Sequence, residues 1–288
     1  MFTLATDTSC DVFRNELDAL DIAWVPLTFT IDGVTYPDDF TCDAQYKDFF
    51  DKVRAGAMPT TSQINTFCQE EFLEGLVQKG ATDIVYLTLS SGLSSTYDSA
   101  VAAANAVTKR HEGVVINVVD TRGATQVHHM VLDDAIALRD KGLSGAEAAK
   151  ILRESVTKIH VLFMVDDLQH LRRGGRVSGV AAAIGTLFKI KPIVTFDKEG
   201  KLHVIHKAKG YRKVLEYVVS EIEKISPDVK EVYIAHGDAP DLVQEMVDTL
   251  QQKFGCTVKV GWCGPVIGAH TGAGMIGMIF KANTERPL

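Results

Sequence analysis

Short unbroken apolar runs alternate along this chain with longer stretches whose apolar residues recur every three or four positions. Residues 2–6, 83–89 and 114–119 are of the first kind. The last of them, Val114-Val115-Ile116-Asn117-Val118-Val119, is almost continuously β-branched, as a parallel strand covered on both faces must be. Stretches 43–55, 64–79, 97–111 and one ending at Lys141 carry helical spacing. A turn is expected at 7–11, a short helix up to Leu20, and an extended segment at 23–30 ahead of an Asp32-Gly33 hairpin signal. This β–α alternation predicts a largely parallel sheet flanked by helices.

The texture changes after a helix at about 146–158. Residues 160–165 read as a strand, and 192–196 with 201–207 as a hairpin across 197–200. Residues 210–225, 229–236, 239–254 and 257–263 follow as helix, strand, helix and strand, and 264–277 is rich in glycine. The expected fold class is therefore α/β with two α/β domains. Residues 1–158 form an N-terminal domain with the parallel sheet, and 159–288 a smaller C-terminal domain with a mixed sheet.

Composition narrows the function. The chain has 288 residues and a net charge of −7, which excludes a protein built to coat nucleic acid. Hydrophobic residues at 46% and charged residues at 23% exclude a disordered chain. No apolar run approaches the ~18 residues of a membrane span. The first residues carry no basic region and reach Asp7 without an apolar core, so a cytoplasmic location is expected. The five cysteines form no C-x-x-C pair and are expected as free thiols with no metal site. There is no G-x-S-x-G elbow, no phosphate-binding G-x-x-x-x-G-K-[ST] loop and no H-E-x-x-H. Gly272-Ala273-Gly274-Met275-Ile276-Gly277 matches G-x-G-x-x-G, but no βαβ unit or acidic ribose ligand follows it; tight backbone packing around His270 is expected instead.

Four segments gather hydroxyls: Thr6-Asp7-Thr8-Ser9, Thr60-Thr61-Ser62-Gln63, Ser90 to Thr96, and Asp120-Thr121-Arg122. Each stands at a strand end or helix start, and three follow expected parallel strands, where open α/β sheets bind ligands. Capping accounts for one such cluster. Ser90 to Thr96 has more hydroxyls than one cap uses, and neutral donors at helix N-termini suit a carboxylate or small phosphate. His270, among glycines, is either a turn histidine bonded to backbone or a donor or proton shuttle at an anion. The dense basic loop Leu171-Arg172-Arg173-Gly174-Gly175-Arg176-Val177-Ser178 is either a solvated surface or a docking patch for an acidic partner.

At these residues the chain resembles the DegV family of bacterial fatty-acid-binding proteins. The resemblance rests on Thr6-Asp7-Thr8-Ser9, Val25-Pro26-Leu27, Ile31-Asp32-Gly33, Pro59-Thr60-Thr61-Ser62-Gln63 and Leu89-Ser90-Ser91-Gly92-Leu93-Ser94. It continues through Val165-Asp166-Asp167-Leu168, Gly174-Gly175-Arg176, Lys191-Pro192 and Gly264-Pro265-Val266-Ile267-Gly268-Ala269-His270. It implies one long-chain fatty acid between two α/β domains, with no other cofactor. The carboxylate would be held by Thr61 and Ser94, joined by His270, with Ser62, Ser91, Gly92 and Ser95 in support. It also implies a carrier rather than an enzyme, delivering its ligand to a separate ATP-dependent kinase subunit that makes the acyl phosphate. Arg172, Arg173, Arg176 and Lys209 are the candidate docking residues for that partner, with Arg176, after two glycines, alternatively turned inward to serve the fold or the ligand; transient contact with a membrane surface is a further expectation. Three positions depart from the family pattern. Ser95 replaces the usual Gly after Ser94, Ile64 replaces a common proline, and Lys209-Gly210 stands where relatives often have Arg then Thr; Lys cannot reproduce Arg's bidentate fork. Two other functions remain open at this stage: a hydrolase or acyltransferase using Ser94 with His270, and a phosphohistidine carrier at His270.

Overall fold

The β-branched runs and helical stretches of the first half form the elements their patterns suggest. Strand β1 (Thr3–Asp7) leads through a 3-10 turn to helix α1 (Arg14–Ala19) and strand β2 (Ala23–Val25). Strands β3 (Thr28–Ile31) and β4 (Val34–Pro37) form a hairpin, followed by α2 (Asp43–Arg54), β5 (Thr60–Ser62), α3 (Thr66–Gln78), β6 (Asp83–Thr88), α4 (Thr96–Arg110) and β7 (Val115–Asp120). Helices α5 (Gln126–Asp140) and α6 (Gly145–Ser155) complete this half. The computed structural model describes residues 1–166, 168–176 and 190–287, so Asp167 of the quoted motifs and Val177 and Ser178 of the basic loop lie outside the described residues.

Strands β2, β1, β6 and β7 form a parallel sheet in that order, and β4, β3 and β5 a small antiparallel one. The extended segment expected at 23–30 is split between the two sheets. The split falls at Pro26-Leu27, where the missing proline N–H cannot continue a ladder. Residues 60–62, expected at a helix entry, are instead a short strand that places Thr61 opposite Phe29.

The second half comprises β8 (Ile159–Met164), α7 (Gln169–Arg173), β9 (Ile190–Phe196), β10 (Leu202–Lys209), α8 (Tyr211–Ile225), β11 (Glu231–His236), α9 (Pro240–Phe254), β12 (Thr257–Trp262), α10 (Pro265–Thr271) and β13 (Ile276–Lys281). Its strands form a mixed sheet in the order β10-β9-β8-β13-β11-β12. The glycine-rich stretch at 264–277 thus holds a helix and the start of an inner strand. Pro265 starts α10 at a position where its missing N–H costs nothing. Gly272 and Gly274, both at positive φ, turn the chain into β13. The G-x-G-x-x-G match therefore joins a helix to a strand, the reverse of a dinucleotide fingerprint. Its glycines do not pack on His270 as expected: a Cβ at Gly272 would meet His170, one at Gly274 Asp166, and one at Gly277 Phe163.

Period-two alternation gives the mixed sheet two apolar faces. Leu162, Met164, Ile234, Met278 and Phe280 pack in a core with Val214, Val218 and Ile222 of α8 and Met246 and Leu250 of α9. Val161, Phe163, Ala235 and Ile279 point the other way and belong to the core that includes the parallel sheet. Helix α10 also crosses over: Gly268 lies against the rings of Phe49 and Phe50 of α2, where a Cβ would come within 2.9 Å of one of them.

Candidate functional site

Where these two faces meet there is a cavity, partly open to solvent, whose empty space together with the solvent at its opening is about 790 Å³. Leu27, Leu89 and Val127 line it from the first half, and Val161, Phe163, Phe196 and Ile279 from the second. The polar lining includes Thr61, Ser62, Gln63, Ser94, Arg176 and His270. An apolar space with few polar groups suits a ligand with a long hydrocarbon body and a small polar head.

The polar groups are linked to one another. His270 Nε2 lies 2.8 Å from Thr61 Oγ1, a bond between α10 and β5. The imidazole is packed on Gly174, where a Cβ would come within 2.0 Å of Nδ1. Gly174 O accepts from Arg176 Nη1, and Arg176 Nε donates to Leu93 O at 3.0 Å, beside Ser94. Ser94 Oγ is 2.9 Å from Thr96 Oγ1 and accepts from Thr96 N at 3.2 Å, so it sits just ahead of α4, against the helix's first N–H. Thr61, His270, Arg176 and Ser94 thus form one connected cluster with the N-terminal end of a 15-residue helix behind it.

Burial, with the nearby Arg176 and His170, pushes the His270 pKa down to about 4, so the ring is neutral near pH 7. Nδ1 is buried without a hydrogen-bond partner among the described residues. We assign the ring proton to Nε2, where a partner exists. It then donates to Thr61 Oγ1, which leaves the Thr61 hydroxyl hydrogen free to point into the cavity. Nδ1 faces Gly174 with no room for a phosphoryl group. Ser94 is hydrogen-bonded to Thr96 and His270 to Thr61, so the two are not paired as nucleophile and base.

The supporting residues fare differently. Ser62 lines the cavity. Ser91 is exposed and donates to Asp120 Oδ2 at 2.5 Å. Gly92 is pressed against the turn after β9, where a Cβ would lie 2.5 Å from Gly200 O. Ser95 is exposed at the N-cap of α4, makes no capping bond and is not among the residues that line the cavity. Of the basic residues expected on a docking face, Arg172 and Arg173 are exposed on α7 and Lys209 is exposed at the end of the edge strand β10. Arg176 departs from that expectation. Its guanidinium is turned onto Leu93 O and Gly174 O in the cavity wall, and it makes no ion pair among the described residues.

The hydroxyl cluster at 6–9 serves the interior, whereas in that at 120–122 Thr121 Oγ1 donates to Thr88 O at 2.8 Å and Asp120 accepts from the exposed Ser91. Ser9 Oγ donates to Asp7 Oδ1 at 2.6 Å and lies 3.0 Å from His128 Nδ1; Thr6 Oγ1 lies 3.0 Å from His128 Nε2. Burial raises the Asp7 pKa to about 6 and lowers that of His128 to about 3. All four residues are fully buried, so this polar knot is closed to any ligand. Asp7 also accepts from Leu89 N at 2.7 Å, which ties the end of β1 to the segment after β6. All five cysteines are free thiols, and no group of side chains fit to hold a metal ion occurs among the described residues. No described helix is long and apolar enough to cross a membrane.

Fold and site together define an α/β protein of three sheets with an apolar cavity bordered by a hydroxyl–imidazole–guanidinium cluster. The chain belongs to the DegV family, whose model, described as "Uncharacterised protein, DegV family", matches residues 1–283. A DegV domain-containing protein of Clostridium perfringens is 35% identical over 99% of both chains, and one of Lactococcus lactis is 31% identical over the same share. Among solved structures, DegV of Bacillus subtilis, a fatty-acid-binding protein, superposes with a TM-score of 0.85 at 26% identity over 98% of this chain and 99% of its own. A DegV family protein of Thermus thermophilus, described for its fatty-acid binding, gives 0.82 at 28% identity over the same shares.

Proposed function

We propose that the protein binds one long-chain fatty acid between lobes 1–158 and 159–288, with the acyl chain in the cavity and the carboxylate at Thr61, Ser94 and His270. The carrying observation is the connected polar cluster on an otherwise apolar cavity. The Thr61 and Ser94 hydroxyls donate to the carboxylate, the neutral His270 orients Thr61, and Arg176 supplies the nearby positive charge. Burial of the chain, at ~0.8 kcal/mol per CH₂, supplies most of the affinity, so the head chiefly needs satisfied hydrogen bonds. The fatty-acid-binding relatives support this reading. So does the separation of Ser94 from His270, which favours a carrier over a hydrolase or acyltransferase. A carrier of this kind can present the carboxylate at a membrane surface or to a separate ATP-dependent kinase for acyl-phosphate formation. The test is denaturing lipid extraction of the purified protein with uptake of added fatty acid. One acyl chain per protein is expected; no acyl chain in the extract together with no uptake would remove the carrier reading.

A further inference from the structure

Arg286 follows β13 and is 1% exposed, yet among the described residues it makes no ion pair. Its guanidinium is spent on backbone: Nε donates to Ile159 O at 2.6 Å, and Nη1 to Arg122 O at 2.8 Å and Asp197 O at 3.1 Å. Nη2 is buried without a partner. Burying a cation on neutral carbonyls is expensive. What it secures is a junction, since Ile159 begins β8, Arg122 follows β7 and Asp197 opens the turn between β9 and β10. Its guanidinium carbon lies 5.6 Å from the centroid of Phe196, a wall residue of the cavity.

The turn that Arg286 holds is fitted onto the loop that carries Ser94. Ser90 Oγ donates to Gly200 O at 2.9 Å. A Cβ on Gly200 would come within 2.1 Å of Ser90 Oγ, and one on Gly92 within 2.5 Å of Gly200 O, so turn and loop have no slack between them. Arg122 fastens the same turn by donating to Lys198 O. Ser90 O in turn accepts from Leu93 N at 3.0 Å and Ser94 N at 3.2 Å. A continuous set of contacts therefore runs from Arg286 through residues 197–200 to Ser90 and Ser94.

We propose that Arg286 is a positioning residue for the carboxylate site, fixing the 197–200 turn against the Ser90–Ser94 loop and so setting where the Ser94 hydroxyl stands over the acyl cavity. This rests on the fatty-acid reading above. The contrast between ligands with and without a carboxylate isolates it from a general structural role. Stearic acid and stearyl alcohol are titrated into the full chain as wild type, Arg286→Met, Arg286→Lys and Ser90→Ala. Arg286→Met lowers stearic acid affinity about tenfold or more, the scale of one hydrogen bond to a charged acceptor, while stearyl alcohol affinity stays within about twofold. Arg286→Lys, which keeps a charge but not the planar fork, recovers part of the preference. Ser90→Ala, cutting the far end of the same contacts, loses the preference as well and decides the matter if Arg286→Met does not fold. Equal weakening of acid and alcohol in the variants, or a wild-type preference in both, overturns the role of Arg286. Wild-type protein that takes up no stearic acid overturns the fatty-acid reading itself, and this proposal with it.

Discussion

The cluster of Thr61, His270, Arg176 and Ser94 depends on one side chain that is absent. Gly174 has an ordinary right-handed conformation, with φ of −68°, so alanine there strains no backbone. Its Cβ would nevertheless lie within 2.0 Å of His270 Nδ1, in the middle of a ring held between α10 and β5. Gly174→Ala is therefore expected to push the imidazole off Thr61. Fatty-acid affinity, measured by titration calorimetry, should fall by ~1–3 kcal/mol, the cost of a hydrogen bond at a charged acceptor. Thr61→Ala removes the same bond, so the two substitutions should combine to less than their sum. An alanine variant with wild-type affinity would show that the ring has another place to go. The hydroxyls and imidazole of this site were legible in the sequence because they are chemically unusual in their segments. The need for Gly174 was not, since it arises from a neighbour on another element. Arg176 was partly legible, since a residue that follows two glycines can turn inward, but its partners Leu93 O and Gly174 O were not.

Among the elements, α10 decides whether the site forms, and buried acids hold its start. Gly264 N donates to Asp11 Oδ2 at 2.7 Å, and a Cβ on Gly264 would meet Asp11 Oδ1 at 2.2 Å. Asp11 faces Asp38 and, more weakly, Asp7, while Asp38 faces Asp39 and Asp7 and accepts from Thr8. Tyr46 and Cys263 lie alongside, their own pKa values raised by burial and these carboxylates. Asp11 Oδ1 and Asp38 Oδ2 are both unpartnered, which a proton held by the pair would relieve. Burial first, then the neighbouring charge, holds both acids well above their usual range. The folded state thus binds more protons than the unfolded chain above pH ~4. The pair's contribution to stability is complete below that pH and is lost as pH rises through the folded-state values. Asp38→Asn keeps the shape and removes one of the two titrating acids and its charge on Asp11, so its melting temperature should fall less than that of the wild type between acid and mildly alkaline pH. Parallel curves for the two proteins would mean that the pair does not titrate in this range. The parallel sheet was legible because buried strands must read as β-branched runs. Helix α10 and β13 were hidden because glycines that make room for His170, Asp166 and Phe163 dilute the periodicity by which such elements are recognised.

At the scale of the whole molecule, charge and cavity pose one question. The chain carries a net charge of −7, yet Arg172 and Arg173 stand exposed together on α7, one helix end away from Gly174 and Arg176. Arg173 reaches Met58, itself 53% exposed, so the basic pair borders an apolar spot on the other half of the chain. A local positive patch on an acidic protein steers an acidic partner towards that face. On the proposed reading, its place beside the residues that pack on His270 would bring a kinase docked there to the carboxylate rather than to the far end of the acyl chain. Replacing both arginines with glutamine should then slow acyl-phosphate formation by the cognate kinase at low salt and leave fatty-acid binding unchanged, because neither side chain lines the cavity. Arg176 is kept out of this variant, since its guanidinium belongs to the cavity wall. The difference between variant and wild type should shrink as salt rises, because exposed charges are screened over ~8–10 Å at physiological ionic strength. Turnover measured at two salt concentrations separates the cases. Equal rates for both proteins at low salt would leave the pair an ordinary solvated surface, whereas a loss that persists at high salt would point to direct contacts rather than steering.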